Sequence, residues 1–402
     1  MNFSLIKEYK GYVLFAALVL GGIFTIENIN DRFWLNDFKV YYLAAKNLLA
    51  GDPVYGVVLG LDTGFYKYSP SILLAFVPFT FMSYYAASVV HFCAIALAAL
   101  FCTLLVQRTL MLYVLPAQHR PASYLLPVAF VCVLNHLFRE LHLGNVNMII
   151  VCFLSAALYF LMSGKDVKCG ILLGIVVLIK PYLLLLSLPL FLHQKFRSLF
   201  SQVLTLLFSV VPVFVFFGFS KTIALHTQWV KAVLYHSEYL TSEHTLVALI
   251  RKYLHVGMPD SYQFYVLIFF TLTYLLVFAF FIRPRIKKDP AKENGFLFLS
   301  YFTLLALIPS ILITDTEHFL FASPLLIFAF NHLWVPKSTF LKSLFVFIVL
   351  VYGTAGGGIF GSNVNERFEE LGLLGIANLG IIIFVLFVFS KDLYKKTSSA
   401  NA

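Results

Sequence analysis

"GYVLFAALVLGGIFTIENI", residues 11–29, and "GIANLGIIIFVLFVFS", residues 375–390, decide the fold. Both are apolar nearly all round and long enough to cross, as helices, a hydrocarbon layer of roughly 30 Å. A membrane barrel would instead show short segments of alternating polarity. Runs of this kind recur through a chain of 402 residues that is 60% hydrophobic, 17% aromatic and 12% charged. Mean hydropathy is +0.88. The sequence therefore predicts an all-α, polytopic membrane protein with about 10–12 membrane helices.

Spans are expected near 11–29, 86–106, 123–138, 147–163, 169–180, 182–192, 199–219, 261–282, 296–313, 319–334, 343–360 and 373–390. The two on either side of Lys180 and Pro181 are short enough to be a broken or re-entrant pair. "SPSILLAFVPFTFM", residues 69–82, is also short, contains Pro78, and reads as a segment dipping into the outer face. "ENINDRFW" follows the first span where cleavage would need small residues, so that span is expected to stay attached.

The net charge of +10 does not suggest nucleic acid, because Lys and Arg sit in short clusters between apolar runs. That pattern suits anionic lipid headgroups and the positive-inside rule. "RPRIKK" at 283–288 and "KDLYKK" at 391–396 then both fall in the cytoplasm, as do the two termini. The long loops near 30–69 and 220–260 share the opposite face. A single membrane domain is expected over 1–392, followed by a short cytoplasmic tail at 393–402. No soluble domain or internal repeat is evident, so chemistry is left to loops and span ends on the outer face. A bacterial plasma membrane is the expected location.

"WLNDFKVYYLAAKNLLAGDPVY", residues 34–55, places Asp37 at the head of a short amphipathic helix that Gly51 ends. Phe38, Tyr41, Ala45 and Leu48 share one face, and Lys39, Tyr42 and Lys46 another, which suits a helix lying in the interface. Asp37 there is either a carboxylate at headgroup depth or, like Asn36, a helix cap. "GFYKYSP" sets Tyr66, Lys67 and Tyr68 before the dipping segment, where tyrosines commonly form an aromatic belt. Tyr41 and Tyr68 are also candidates for substrate contact.

"RELHLGNVNM", residues 139–148, gathers Arg139, Glu140, His142, Asn145 and Asn147 at the outer start of a span. The asparagines read either as substrate contacts or as a cap and a helix–helix hydrogen bond. In "GILLGIVVLIKPYLLLL", Lys180 is a charge inside an apolar run, before a helix-breaking proline. Such a charge either faces a polar cavity, where a lipid-linked phosphate is a natural partner, or snorkels to the surface. "YLTSEHTLVALIRKYL" brings Glu243, His244, Arg251 and Lys252 into one loop, with Thr241 or Ser242 placed to cap a helix. "IPSILITDTEHFLFASP" puts Asp315, Glu317 and His318 in a very short connection, where His318 can meet an anionic headgroup or simply serve the turn.

Metal is not expected, since no HExxH or DxD occurs and the acidic and histidine spacing forms no cage. Walker A and GxSxG motifs are absent too. The five cysteines lie in or beside apolar runs with no CxxC pair, and read as packing residues.

In order, "DFKVYYLAAKNLLAGDPVY", "YKYSPSILLAFVPF", "LGNVNMII", "GILLGIVVLIKPYLLLL", "SEHTLVALIRKYL" and "TDTEHFLFASP" resemble glycosyltransferase family 87. That is a GT-C class family related to polyprenyl-phosphate-mannose-dependent α-1,2-mannosyltransferases, and the resemblance runs from about residue 37 to 324. It implies a GT-C type fold, a polyprenyl-phosphate sugar donor, a glycolipid or glycan acceptor, and inverting transfer of a hexose, mannose first, on the non-cytoplasmic face. It implies Asp37 as general base, with Lys180, Arg251 and His318 at the donor phosphate. Tyr41, Tyr68, Asn145, Asn147, His244, Asp315 and Glu317 would contact substrate. No cofactor is implied. Two departures stand out: the family often has glutamine at Asn145, and a tryptophan and second histidine in the turn that reads "DTEHF" here. The rival functions are a transporter or flippase with Lys180 at a midplane site, and a glycan ligase or polymerase using a diphosphate-linked donor.

Overall fold

Backbone N–H and C=O groups find no water inside a bilayer, so a chain this apolar satisfies them within helices. The computed structural model describes residues 7–60, 64–116, 122, 124–234, 243–277, 290–312, 314–333, 335–357 and 360–398. Within them α1 is Lys10–Ile29, α2 Asn36–Ala50, α3 Pro70–Phe76, α4 Tyr84–Thr109, α5 Leu125–Leu143 and α6 Asn147–Met162. There follow α7 Asp166–Ile179, α8 Ser187–Leu192, α9 Phe196–Phe208, α10 Val210–Leu234, α11 Leu246–Leu254 and α12 Gln263–Val277. The remainder are α13 Pro290–Ile311, α14 Ser323–His332, α15 Thr339–Thr354, α16 Ser362–Glu370 and α17 Leu373–Ser398.

Among the described residues, six helices are long and apolar enough to cross a membrane, and four apolar helical segments are shorter. The all-α membrane fold is therefore as the sequence predicts. Several expected crossings are short because proline or glycine divides them. Pro181 converts the chain after α7 to a 3-10 turn, Pro181–Leu186, before α8 resumes. The dipping segment is α3 followed by a 3-10 turn, Val77–Phe81, with Pro78 at its start. In the other direction, the expected 199–219 span extends through α9 and α10 from Phe196 to Leu234. Gly218 breaks α10 with φ 74° and ψ 174°, a conformation only glycine adopts readily. The "RPRIKK" cluster and Thr241 and Ser242 lie outside the described residues.

The chain divides into two units. One comprises Leu14–Leu105 and Phe138–Tyr239, the other Met1–Val13, Val106–Leu137 and Leu240–Ala402. In the first, α7 packs on α9 at close range: a Cβ on Gly170 would lie 2.2 Å from Ser198 O, and one on Gly174 2.6 Å from Thr205 Cβ. Ser201 Oγ seals this contact by donating to Val167 O at 3.0 Å. Ser71 Oγ of α3 donates to Ser209 O at 2.6 Å, and Trp229 Nε1 of α10 to Lys67 O at 3.1 Å. Those two bonds hold the stretch that carries Tyr68. In the second unit, α14 and the 3-10 turn Thr316–Ala322 before it are almost wholly buried. Tyr352 of α15 donates its hydroxyl to Phe319 O there.

Candidate functional site

The first unit assembles the site from α2, the Tyr66–Ser69 stretch, the α5–α6 turn and the end of α7. Leu35, buried and left-handed at φ 43°, precedes α2, so neither Asn36 nor Asp37 occupies the cap position that the sequence allowed for them. Asp37 instead lies in the first turn, where the helix dipole favours a carboxylate, and is half-buried. One turn on, Tyr41 is buried beside Phe38, Ala45 and Leu48. Tyr42 is buried too, its hydroxyl donating to Met82 O at 3.0 Å, which corrects its expected place on the polar face. Lys39 and Lys46 remain exposed.

Asn145 Nδ2 donates to Asp37 Oδ2 at 2.8 Å. Its Oδ1 accepts the Val146 N–H at 2.7 Å and lies 3.5 Å from the hydroxyls of both Tyr41 and Tyr68, which are 2.7 Å apart. A carboxylate only accepts and an N–H only donates, so this amide has one workable orientation. Burial pushes both phenols well above their ordinary pKa, with the charge of Asp37 adding to it, so they act as neutral hydroxyls. Tyr66 and Tyr68 are buried inside a tyrosine cluster with Tyr41 and Tyr55, and so do not form the belt expected of them.

The turn itself is built by glycine. Gly144, at φ 69°, ends α5, and both its N–H and that of Asn145 return to Glu140 O at 2.9 and 3.2 Å. A Cβ there would meet Leu35 at 2.8 Å and Phe38 at 2.9 Å, so the turn sits directly on α2. Asn147, two residues beyond Asn145, is fully buried, and its Oδ1 accepts from Lys180 Nζ at 2.6 Å. Its Nδ2 donates to Glu140 Oε2 at 3.0 Å, and Met148 N donates to Glu140 Oε1 at 2.8 Å. Lys180 is only 8% exposed: α7 ends at Ile179, and Lys180 is extended at φ −132°, which turns it inward. It does not snorkel. Glu140, quoted within its motif but given no role by sequence reading, is the buried carboxylate of this group. No sequence spacing marks it, because the left-handed turn at Gly144, not helical periodicity, brings Glu140 to Asn147.

Beside this network runs a groove of ≈ 560 Å³. Val167, Ile171, Ile175 and Leu178 of α7 and Ser71 and Ile72 of α3 line it. Along α7 that is about 16 Å of rise. It reaches Leu178, two residues before Lys180, and Ser71, three after Tyr68.

The other unit holds the remaining candidates. Thr245 Oγ1 accepts from Ala248 N at 3.2 Å, so Thr245 caps α11 and His244 lies before the helix. His244 is buried edge-on to Phe319 with ring centroids 5.8 Å apart, and burial lowers its pKa to about 4. Glu317 and His318 are buried in the 3-10 turn, while Asp315, half-exposed at its head, accepts the His318 N–H at 3.1 Å. Arg251 is partly exposed and pairs with Asp260 at 3.2 Å, a contact worth about 0–1 kcal/mol. Among the described residues, no group of three or more His, Cys, Asp or Glu could hold a metal ion.

A family model, glycosyltransferase family 87, matches residues 65–312, which include Tyr68, Asn145, Asn147, Lys180, His244 and Arg251 but not Asp37. An α-(1→3)-arabinofuranosyltransferase of Corynebacterium glutamicum is 27% identical over 208 residues, 51% of this chain. The chain spans about half the length of that relative, 48%. Two crystal structures of ArnT from Cupriavidus metallidurans, one bound to undecaprenyl phosphate and one in the apo state, align at 12% and 11% identity. They cover 97% and 98% of this chain and 79% of their own, with a TM-score of 0.38, too low to bear on function.

Proposed function

Because the chain belongs to glycosyltransferase family 87, we propose that it is a membrane-embedded enzyme moving a sugar from a polyprenyl monophosphate to a glycolipid or glycan hydroxyl. The sugar is a hexose, mannose first, by the sequence resemblance. The reaction takes place on the non-cytoplasmic face of a bacterial plasma membrane, with both termini in the cytoplasm.

One observation carries this reading: Asn145 holds Asp37 and Asn147 holds Lys180, two residues apart on one turn. Two residues of chain span at most about 7 Å. In an in-line displacement the attacking oxygen approaches the anomeric carbon from about 3–3.5 Å while the leaving oxygen, still bonded to that carbon, lies on its far side. A base and a cation tethered this closely can therefore serve the two sides of one sugar. Asp37 takes the acceptor proton as its oxygen attacks C1, the C1–O bond to phosphate breaks on the far side, and the configuration inverts. Lys180 stabilises the charge that grows on the phosphate. Tyr41 and Tyr68, linked to Asp37 through Asn145, offer neutral hydroxyls beside the sugar. The polyprenyl chain lies in the groove along α7, whose lining reaches Leu178, two residues before Lys180. The reading rests on this unit and does not call on His244, Arg251, Asp315, Glu317 or His318. No metal takes part.

A second sugar is favoured by the Corynebacterium relative, whose printed activity is transfer of an arabinofuranosyl group. Purified protein in nanodiscs, given radiolabelled polyprenyl-phosphate-mannose and polyprenyl-phosphate-arabinose with a crude glycolipid extract, separates the two. Label moving from mannose supports the hexose, and label moving only from arabinose replaces it. Label moving from neither, with movement of an anionic lipid across the bilayer, supports a flippase.

A further inference from the structure

Glu140 has no part in the chemistry just described, yet it is fully buried near the end of α5. Burying a carboxylate is costly unless hydrogen bonds and an opposite charge compensate it. Here Met148 N–H and Asn147 Nδ2 satisfy its oxygens, and of the two charges within its electrostatic reach Lys180 favours the carboxylate while Asp37 opposes it. Only Asn147 stands between carboxylate and ammonium in the hydrogen-bonded chain Glu140–Asn147–Lys180.

We propose that Glu140 is a positioning residue that, through the Asn147 amide, aims Lys180 at the donor phosphate and supplies its countercharge. This rests on the reading of Lys180 as a phosphate contact. The polarity of the chain is forced at both ends. As a carboxylate Glu140 accepts only, so Asn147 turns its NH2 group toward it, and the amide oxygen is left for Lys180, which donates only.

Glu140→Gln tests that logic because it keeps the shape and reverses the polarity. The oxygen of the substituted amide would hold the Met148 N–H, leaving its NH2 to face Asn147. The Asn147 amide must then flip, and its NH2 would confront the Lys180 ammonium, donor against donor. The double variant Glu140→Gln with Asn147→Asp restores every bond: the new amide donates to the new carboxylate, which takes Lys180 directly. The charge simply moves one link along.

The experiment uses the full chain in lipid nanodiscs and measures binding of a radiolabelled polyprenyl monophosphate against the matching polyprenol, together with donor KM and kcat. Glu140→Gln is expected to weaken monophosphate binding and raise donor KM by roughly 10- to 100-fold, the size of one charge-assisted hydrogen bond. Polyprenol binding should be unchanged, while kcat should fall as well, because the displaced Lys180 also meets the charge that grows on the leaving phosphate. The double variant should bind monophosphate like the parent.

Unchanged monophosphate binding by Glu140→Gln overturns the inference, as does a double variant no better than the single one. If Glu140→Gln fails to fold, the double variant decides alone: folded with parental binding supports the relay, and weak binding or failure to fold overturns it. Lys180→Ala distinguishes the two levels. Parental monophosphate binding by Lys180→Ala removes the premise itself, whereas weak binding there with intact binding by Glu140→Gln removes only the relay.

Discussion

Asp37 is half-buried in the first turn of α2 with an amide N–H on one oxygen, an arrangement that leaves a carboxylate able to take a proton. Asp37→Asn keeps the shape and removes the base, so kcat should fall by about 10²–10⁴-fold with an unchanged melting temperature. Parental turnover by this variant would end its role as base. His244 gives a second test at this scale. Burial holds its folded pKa near 4, against an ordinary 6.5. Above pH 6.5 it is neutral in both folded and unfolded chains, and its environment costs nothing. As pH falls from 6.5 toward 4 the unfolded chain takes the proton first, so stability drops, by on the order of 3 kcal/mol in full. Melting curves of the parent and of His244→Gln in detergent, from pH 7 to pH 4, should diverge over that window, the parent losing more.

Charged and amide residues set in apolar surroundings stood out in the sequence, which is why Asp37, Asn145, Asn147 and Lys180 could be named before any contact was known. Glu140 could not, because Arg139 and His142 flank it and nothing in a polar cluster tells which member turns inward. The depth of Tyr66 and Tyr68 was hidden for a related reason: belt and buried cluster have the same composition. Arg251 finds Asp260 nine residues on, across a stretch with no periodicity to announce the pairing.

Among elements, the contact of α7 with α9 depends on two glycines four residues apart. A methyl at Gly170 or Gly174 would enter the space of Ser198 O or Thr205 Cβ. Gly170→Ala and Gly174→Ala should each cost about 1–3 kcal/mol, read as a lowered melting temperature. Gly22→Ala in α1, with nothing within 4 Å of a new Cβ, should be neutral or stabilising by up to about 1 kcal/mol. Equal effects at all three positions would mean that helix propensity, not close approach, governs α7. The breaks at Lys180–Pro181 and at Pro78 were legible, since proline acts locally. The cap of α11 was not: three hydroxyl residues precede the helix, and Thr245 takes the position offered to Thr241 or Ser242. Crossing numbers were less legible, because hydropathy marks apolar stretches but not where glycine and proline divide them.

For the whole molecule, apolar runs near twenty residues established the helical membrane class, because a closed barrel, the other structure that satisfies its backbone in lipid, would show short alternating segments. Order along the chain, more than any single motif, carried the family, and the match over residues 65–312 agrees with that order. What hydropathy and spacing leave open is the sugar, since specificity lies in the shape of the site. On the proposed reading, in which Lys180 supplies the cation at the phosphate, EDTA should leave turnover unchanged. Loss of turnover with EDTA, restored by a divalent ion, would assign that charge elsewhere. The central claim is transfer from a polyprenyl monophosphate, and its most direct test is turnover of the radiolabelled mannosyl and arabinosyl donors by the purified parent and Asp37→Asn proteins in nanodiscs. Label is expected in a new glycolipid with the parent alone; label in that product with neither protein, from either donor, would contradict the claim.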